Sequence, residues 1–219
     1  MVLSLLASVG TVISMHTSNV PSSDFANNAR YNFTGWVVGM QTNTGKLMTA
    51  FATVGGPGSP APGGEDYKGG GGGAAIWMGG SAIASDQAGR IFFATGNGQK
   101  GAQNQGQPAS GRLKLNTMNE AVVNMAVNPT TGVVTQSDYF EPYTYSALDN
   151  ADRDLGSGGV ALLDPSTFNG SGVSRIAVTV GKNGVCYVLN ADNLGGYKLG
   201  TGGTDAILQT ITMPGRLVF

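Results

Sequence analysis

Short apolar runs alternate with polar, glycine-containing breaks along the whole chain, and apolar spacing of the helical kind is almost absent. The runs, rich in Val, Ile, Phe, Tyr and Leu, cover residues 10–15, 36–41, 47–54, 81–85, 90–95, 122–127, 133–140, 159–163, 175–180, 185–190 and 207–213. Runs of this length bounded by turn residues predict β-strands, whose side chains point to alternate faces. The alternation is visible at Val185-Cys186-Tyr187-Val188-Leu189.

The breaks carry hairpin chemistry. Thr42-Asn43-Thr44-Gly45-Lys46, Asp86-Gln87-Ala88-Gly89-Arg90, Asn128-Pro129-Thr130-Thr131-Gly132 and Gly181-Lys182-Asn183-Gly184 each join two runs. Asn183-Gly184 is a strong hairpin signal, because both residues accept the positive φ of a tight turn. The stretches WVVGMQTNTGKLMTAF and VVNMAVNPTTGVVTQSDYF share one design: strand, Thr-Gly turn, strand, aromatic end. Repetition every few tens of residues marks a repeated unit, and four-stranded blades around an axis are its radial β form. At roughly 40–50 residues per blade, the chain predicts an all-β propeller of about four blades, an incomplete ring over residues 1–219. An open ring leaves edge strands near 10–15 and 207–219. Exposed edges invite self-association or pairing with missing blades. The polar, Gly-rich stretches 55–73 and 97–112 are too long for hairpin turns and predict flexible surface loops.

Composition agrees with this reading. Glycine supplies 36 of 219 residues, about twice ordinary usage, as many tight turns require. Charged residues are 11% and the formal net charge is −1, so no basic face predicts a nucleic-acid partner. No run is long enough to span a membrane as a helix. The apolar residues 1–14 read as a strand or as a secretory leader, although they lack a leader's basic start and small-residue cleavage pattern. The sequons Asn32-Phe33-Thr34 and Asn169-Gly170-Ser171 favour a secreted glycoprotein. The single cysteine, Cys186, reads as a buried core thiol. His16, the sole histidine, supports no Ser-His-Asp triad. Neither Gly69–Gly73 nor Gly181–Gly184 has the spacing of a phosphate loop. Asn150, Asp152 and Asp154 alternate, so an extended segment would turn all three to one side, to hold a cation or to face water.

Three stretches carry a family likeness: GGGGAAIWMGGSAIASDQAGRIFFATGNG at 70–98, ALDNADRDLGSGGVALLD at 147–164, and RIAVTVGKNGVCYVLNADNLGGY at 175–197. They resemble the pyrroloquinoline quinone (PQQ) dehydrogenase-like propeller family, in matching order over most of residues 9–199. The resemblance implies a site in which Trp77 is the floor on which the quinone stacks. Asn97 in Ala94-Thr95-Gly96-Asn97 resembles the metal-ligating amide. Asp152 resembles the general base that takes the substrate hydroxyl proton, and it stands among the metal ligands. Asp154 sits where lanthanide-using members place an extra carboxylate. The implied cofactors are PQQ with Ca²⁺ or a lanthanide, since a hard cation takes oxygen ligands and polarises the quinone carbonyl.

The chain also departs from the family. Thr49 and Gln136 fall near places where tryptophans close blades, Ala151 replaces the tryptophan before the catalytic Asp, and the adjacent cysteine pair of many members is absent. The blades that supply another carboxylate ligand and the cations that grip the cofactor lie outside this sequence. Together these features imply a secreted propeller module with a binding or scaffold role and no complete active site. The alternative is a fragment of a PQQ- and metal-dependent alcohol or sugar dehydrogenase.

Overall fold

The computed structural model describes residues 8–11, 14–15, 33–53, 74–97, 107–115, 117–170 and 172–214. The strands in chain order are β1 (Ser8–Thr11), β2 (Ser14–Met15), β3 (Phe33–Thr34), β4 (Trp36–Met40), β5 (Leu47–Ala52), β6 (Ala84–Ser85) and β7 (Arg90–Ala94). They continue with β8 (Val122–Val127), β9 (Val134–Glu141), β10 (Val160–Leu162), β11 (Ile176–Val180), β12 (Val185–Asn190), β13 (Gly196–Tyr197) and β14 (Gln209–Thr212). Among the described residues one short α-helix, α1, covers Tyr145–Asn150. Most of these strands coincide with the apolar runs. The fold is all-β, as the periodicity predicts.

The strands form three blade-like sheets and a short ribbon. The first sheet has the order β1-β4-β5, the second β13-β9-β8-β7-β6, and the third β10-β11-β12-β14. The β2–β3 ribbon keeps the register of the β1–β4 pair, since three residues beyond Thr11↔Val37 comes Ser14↔Thr34. It is therefore the far end of one long hairpin. Neighbouring strands are antiparallel except β13, which pairs in parallel with β9. Through β13 the chain, having built most of the third sheet, returns to the edge of the second.

Strand alternation sends the side chains of the second sheet to two different interfaces. Ile91 and Phe93 of β7, with Val123 and Met125 of β8, meet Val37 and Phe51 of the first sheet. Phe92, Ala94 and Val122, one residue out of phase, meet Ala177, Tyr187 and Leu189 of the third. The Phe140 and Tyr187 rings cross the second interface at 5.3 Å. The second sheet is thus buried on both faces, which explains its nearly unbroken apolar sequence at 91–94.

The turns follow their residue types. Asn128 accepts the backbone N–H groups of Thr130 and Thr131 on its Oδ1 at 2.9 Å. Asp86 does the same for Ala88 and Arg90. The 181–184 turn differs from expectation. Gly184 alone takes positive φ, +73°, and its N–H bonds Gly181 O at 3.0 Å, so Asn183 stays outside the left-handed region. Its Oδ1 instead accepts Val185 N–H at 3.0 Å.

Gln136, standing where the resemblance expects a tryptophan, is buried. It ties down a neighbouring segment by accepting Leu115 N–H and donating to Leu113 O, each at 2.9 Å. Residues 55–73 lie outside the described residues, as do 98–106. At the end of the second stretch, Ala109 is buried and exchanges two 2.9 Å backbone bonds with Tyr197. Among the described residues no helix is long and apolar enough to cross a membrane.

Candidate functional site

The site is built where the segment leaving β7 runs between two others. Gly96 N–H donates to Ala75 O and Glu120 N–H donates to Gly96 O, both at 2.9 Å, while Ala74 N–H donates to Asn97 O at 2.8 Å. These bonds fix Asn97, which is buried, at the end of the strand.

Asp152 and Asp154 arrive by a different route from the one their spacing suggests. The segment is not extended. Helix α1 ends in a Schellman motif: Arg153 N–H bonds Leu148 O at 2.9 Å and Asp152 N–H bonds Asp149 O at 3.2 Å. Asp152 holds the left-handed position, φ +52°, which aspartate tolerates better than most residues. Asn150 is consequently the exposed last residue of the helix rather than a third member of one strand face. Beyond the turn, Leu155–Ser157 forms a single 3₁₀ turn with Asp154 at its start.

Three of the four residues singled out by resemblance therefore meet directly. Asn97 N–H donates to Asp154 Oδ1 at 3.0 Å, and Asn97 Nδ2 donates to Asp152 Oδ1 at 3.1 Å. Trp77, the fourth, is half-buried beside them. A Cβ at Gly96 would stand 2.6 Å from both Trp77 Cδ1 and Asp154 Oδ1. The indole edge and the carboxylate therefore press on the same hydrogen-only position.

Two further residues complete the group. Lys182, in the β11–β12 turn, donates from Nζ to Asp154 Oδ2 and lies 4.0 Å from Asp152 Oδ2. Its backbone N–H also bonds Asp154 O at 3.1 Å. Burial alone would lower the Lys182 pKa, but the hydrogen bond and the charges of Asp154 and Asp152 outweigh it and raise the value. Glu120 is fully buried and accepts Leu155 N–H at 2.6 Å. Its pKa is pushed up to about 9, chiefly by burial, with the charges of Asp154 and Asp149 adding to it. It is a neutral carboxylic acid at pH 7. Spacing gave no sign of Lys182, which read only as a turn residue, or of Glu120, because tertiary contacts alone bring them here.

This donor set does not fit a divalent or trivalent cation as it stands. Asp154 spends one carboxylate oxygen on Asn97 N–H and the other on the Lys182 ammonium. Asn97 turns its amide nitrogen, a donor, toward Asp152. Among the described residues no cluster of three His, Cys, Asp or Glu side chains is placed to hold a metal. A lysine already neutralises the charge that would attract the ion, and Asp152 is left as the one solvent-facing carboxylate, its side chain 78% exposed.

Neither a family model nor a curated protein sequence matches the chain. Among solved structures, a quinohemoprotein alcohol dehydrogenase from Comamonas testosteroni matches at 20% identity with a TM-score of 0.51. The match covers 84% of this chain and 28% of the dehydrogenase. A second quinohemoprotein alcohol dehydrogenase, from Pseudomonas putida HK5, matches at 20% identity with a TM-score of 0.47, over 82% of this chain and 24% of that one. This chain thus spans well under a third of the length of either. At such identity the likeness is one of fold: the stacked antiparallel sheets are blades of the kind found in quinoprotein alcohol dehydrogenase propellers.

Proposed function

We propose that this chain is a quinoprotein-like propeller module, part of a secreted protein, that binds or scaffolds and carries no complete active site. The observation that carries the reading is the Lys182 ammonium on Asp154. It turns the Asn97–Asp152–Asp154 group from an oxygen cage into an internal salt-bridged clamp joining the ends of β7, α1 and the β11–β12 hairpin. Secretion draws support from the two sequons, of which Asn169 is exposed.

The alternative is part of a PQQ-dependent alcohol or sugar dehydrogenase. It draws on the placement of Trp77, Asn97, Asp152 and Asp154 around Gly96. In that reading Asp152 is the general base and Trp77 the floor for the quinone, with Ca²⁺ or a lanthanide near Asn97 and the two aspartates.

Fluorescence titration with PQQ separates the two, run with Ca²⁺, with La³⁺ and with neither, since Trp36 and Trp77 are the only tryptophans. The module reading expects no saturable, metal-dependent quenching in the native chain. It also expects that Lys182→Ala, which frees a carboxylate oxygen, gains measurable La³⁺ binding. Saturable quenching of the native chain that is lost in both Trp77→Phe and Asp152→Ala would establish the dehydrogenase reading instead.

A further inference from the structure

Asparagine followed by glycine occurs three times, at 97–98, 169–170 and 183–184. The pair is chemically special. Glycine has no side chain to hinder its own backbone nitrogen from closing onto the preceding asparagine amide. With the dipeptide the same in all three places, its surroundings decide which copy can react.

Two of the three are held. Asn183 is half-buried. Its Oδ1 accepts Val185 N–H at 3.0 Å, and its Nδ2 donates to the Tyr187 hydroxyl at 3.1 Å. The Gly184 N–H, whose nitrogen would attack, donates to Gly181 O at 3.0 Å. Asn97 is buried, with its N–H on Asp154 and its amide nitrogen on Asp152. Ring closure at either position requires the β11–β12 turn or the clamp to open first.

Asn169 differs. It lies in the connection between β10 and β11, where residues 166–170 are all exposed. Gly170 N–H reaches Val173 O only at 3.4 Å, beyond the usual range of an N–H···O bond. A Cβ at Gly170 or Gly172 would meet nothing within 4 Å, so no packing resists rotation of this turn. Among the described residues the Asn169 side chain makes one hydrogen bond, from Nδ2 to Pro165 O at 2.6 Å. That bond is made at the surface, where water replaces it at little cost.

We infer that Asn169 is a site of spontaneous modification, converting in the folded chain to aspartate and isoaspartate while Asn97 and Asn183 are preserved. The Gly170 nitrogen attacks Cγ of Asn169. The N–Cγ bond forms, the Cγ–Nδ2 bond breaks, and Nδ2 leaves as ammonia with the proton from the Gly170 nitrogen. Water then opens the cyclic imide. Breaking the N–Cγ bond gives aspartate, and breaking the bond from that nitrogen to the Asn169 main-chain carbonyl carbon gives isoaspartate. Nothing is oxidised or reduced. The product carries an added negative charge and is no longer a sequon. A glycan on Nδ2 would block the same leaving group, so the two modifications exclude each other. The inference does not depend on what the Lys182 clamp binds.

Incubating the whole chain, made in a host that adds no N-glycans, tests this in mildly alkaline buffer with and without urea. Peptide mapping by mass spectrometry follows each pair separately. In the unfolded chain all three convert at comparable rates. In the folded chain Asn169 stays within about threefold of its unfolded rate, whereas Asn97 and Asn183 slow by about tenfold or more, because each waits for a local opening. Gly170→Ala slows Asn169 alone by about tenfold, since a Cβ hinders the ring closure. A folded chain in which Asn169 is as slow as Asn183, or Asn183 as fast as Asn169, overturns the inference. So does conversion of Asn169 at an undiminished rate in Gly170→Ala, which would mean direct hydrolysis without the ring.

Discussion

One position without a side chain organises the candidate site. Gly96 has the Trp77 indole on one side and the Asp154 carboxylate on the other, and both would lie 2.6 Å from any Cβ placed there. Asp154 is not free to retreat, since it is tied to Asn97 and Lys182. Gly96→Ala is expected to cost about 1–3 kcal/mol, the range of overpacking in a filled interior, and to shift tryptophan emission. Urea denaturation followed by fluorescence measures both effects. Gly170 provides the control: a Cβ there meets nothing within 4 Å, so Gly170→Ala should stay within about 0.5 kcal/mol of the parent. A Gly96→Ala variant as stable as that control would mean that the site yields easily, and the clamp description would fail.

The turns locate the strands, and their contribution is local and measurable. Asn128 is exposed, yet its Oδ1 accepts two backbone N–H groups in the β8–β9 turn. Asn128→Ala removes both bonds while leaving the packing of the strands alone. It should lower stability by about 1 kcal/mol, the net value of a bond or two exchanged with water, without changing the circular dichroism of the native state. A loss several times larger would show that the hairpin nucleates more than its own turn. The same chemistry explains what the sequence makes legible. Strands β7, β8, β9, β11 and β12 announce themselves by length, composition and Gly- or Asn-containing ends. The helix α1 does not, because six residues make less than two turns and show no periodicity. Nor does β13, whose two residues are held by pairing with β9 and Ala109. At the site, resemblance leads to Asn97, Asp152 and Asp154, but the alternation of Asn150, Asp152 and Asp154 suggests a strand face that the structure lacks, because the Schellman turn at Asp152 leaves no mark on residue spacing. Lys182 and Glu120 were invisible for a stronger reason: nothing local in the 181–184 turn or around residue 120 distinguishes a solvated charge from one buried against Asp154 or Leu155.

Across the whole molecule, the buried carboxyls set how stability depends on pH. Glu120 and Glu141 are both almost fully buried. Burial, assisted by neighbouring acidic charge, raises the pKa of Glu120 to about 9 and that of Glu141 well above the ordinary carboxyl range. The native state therefore keeps protons that the unfolded chain gives up near pH 4.5, so their contribution to stability is fully present below that value. It declines as pH rises toward the native pKa, by roughly 1.4 kcal/mol per pH unit for each group. Asp86 works in the opposite sense. Burial opposes its charge, but hydrogen bonds from Arg90 and Ala88 outweigh that and lower its pKa, so its contribution is lost only as pH falls below about 4. The two trends leave maximal stability on the mildly acidic side of neutrality and a steady loss toward alkaline pH. Glu120→Gln preserves an acceptor for Leu155 N–H, and Glu141→Gln replaces a carboxyl that has no hydrogen-bond partner among the described residues. Each substitution should remove its share of the alkaline slope, and the double variant's urea midpoint should fall less steeply than the parent's between about pH 5 and pH 8, the slope left at about pH 5–6 belonging to Asp205, whose pKa burial raises to about 6. A double variant with the parent's slope would mean that these carboxyls ionise inside the fold, and the folded interior would then have to supply a counter-charge or water beside them.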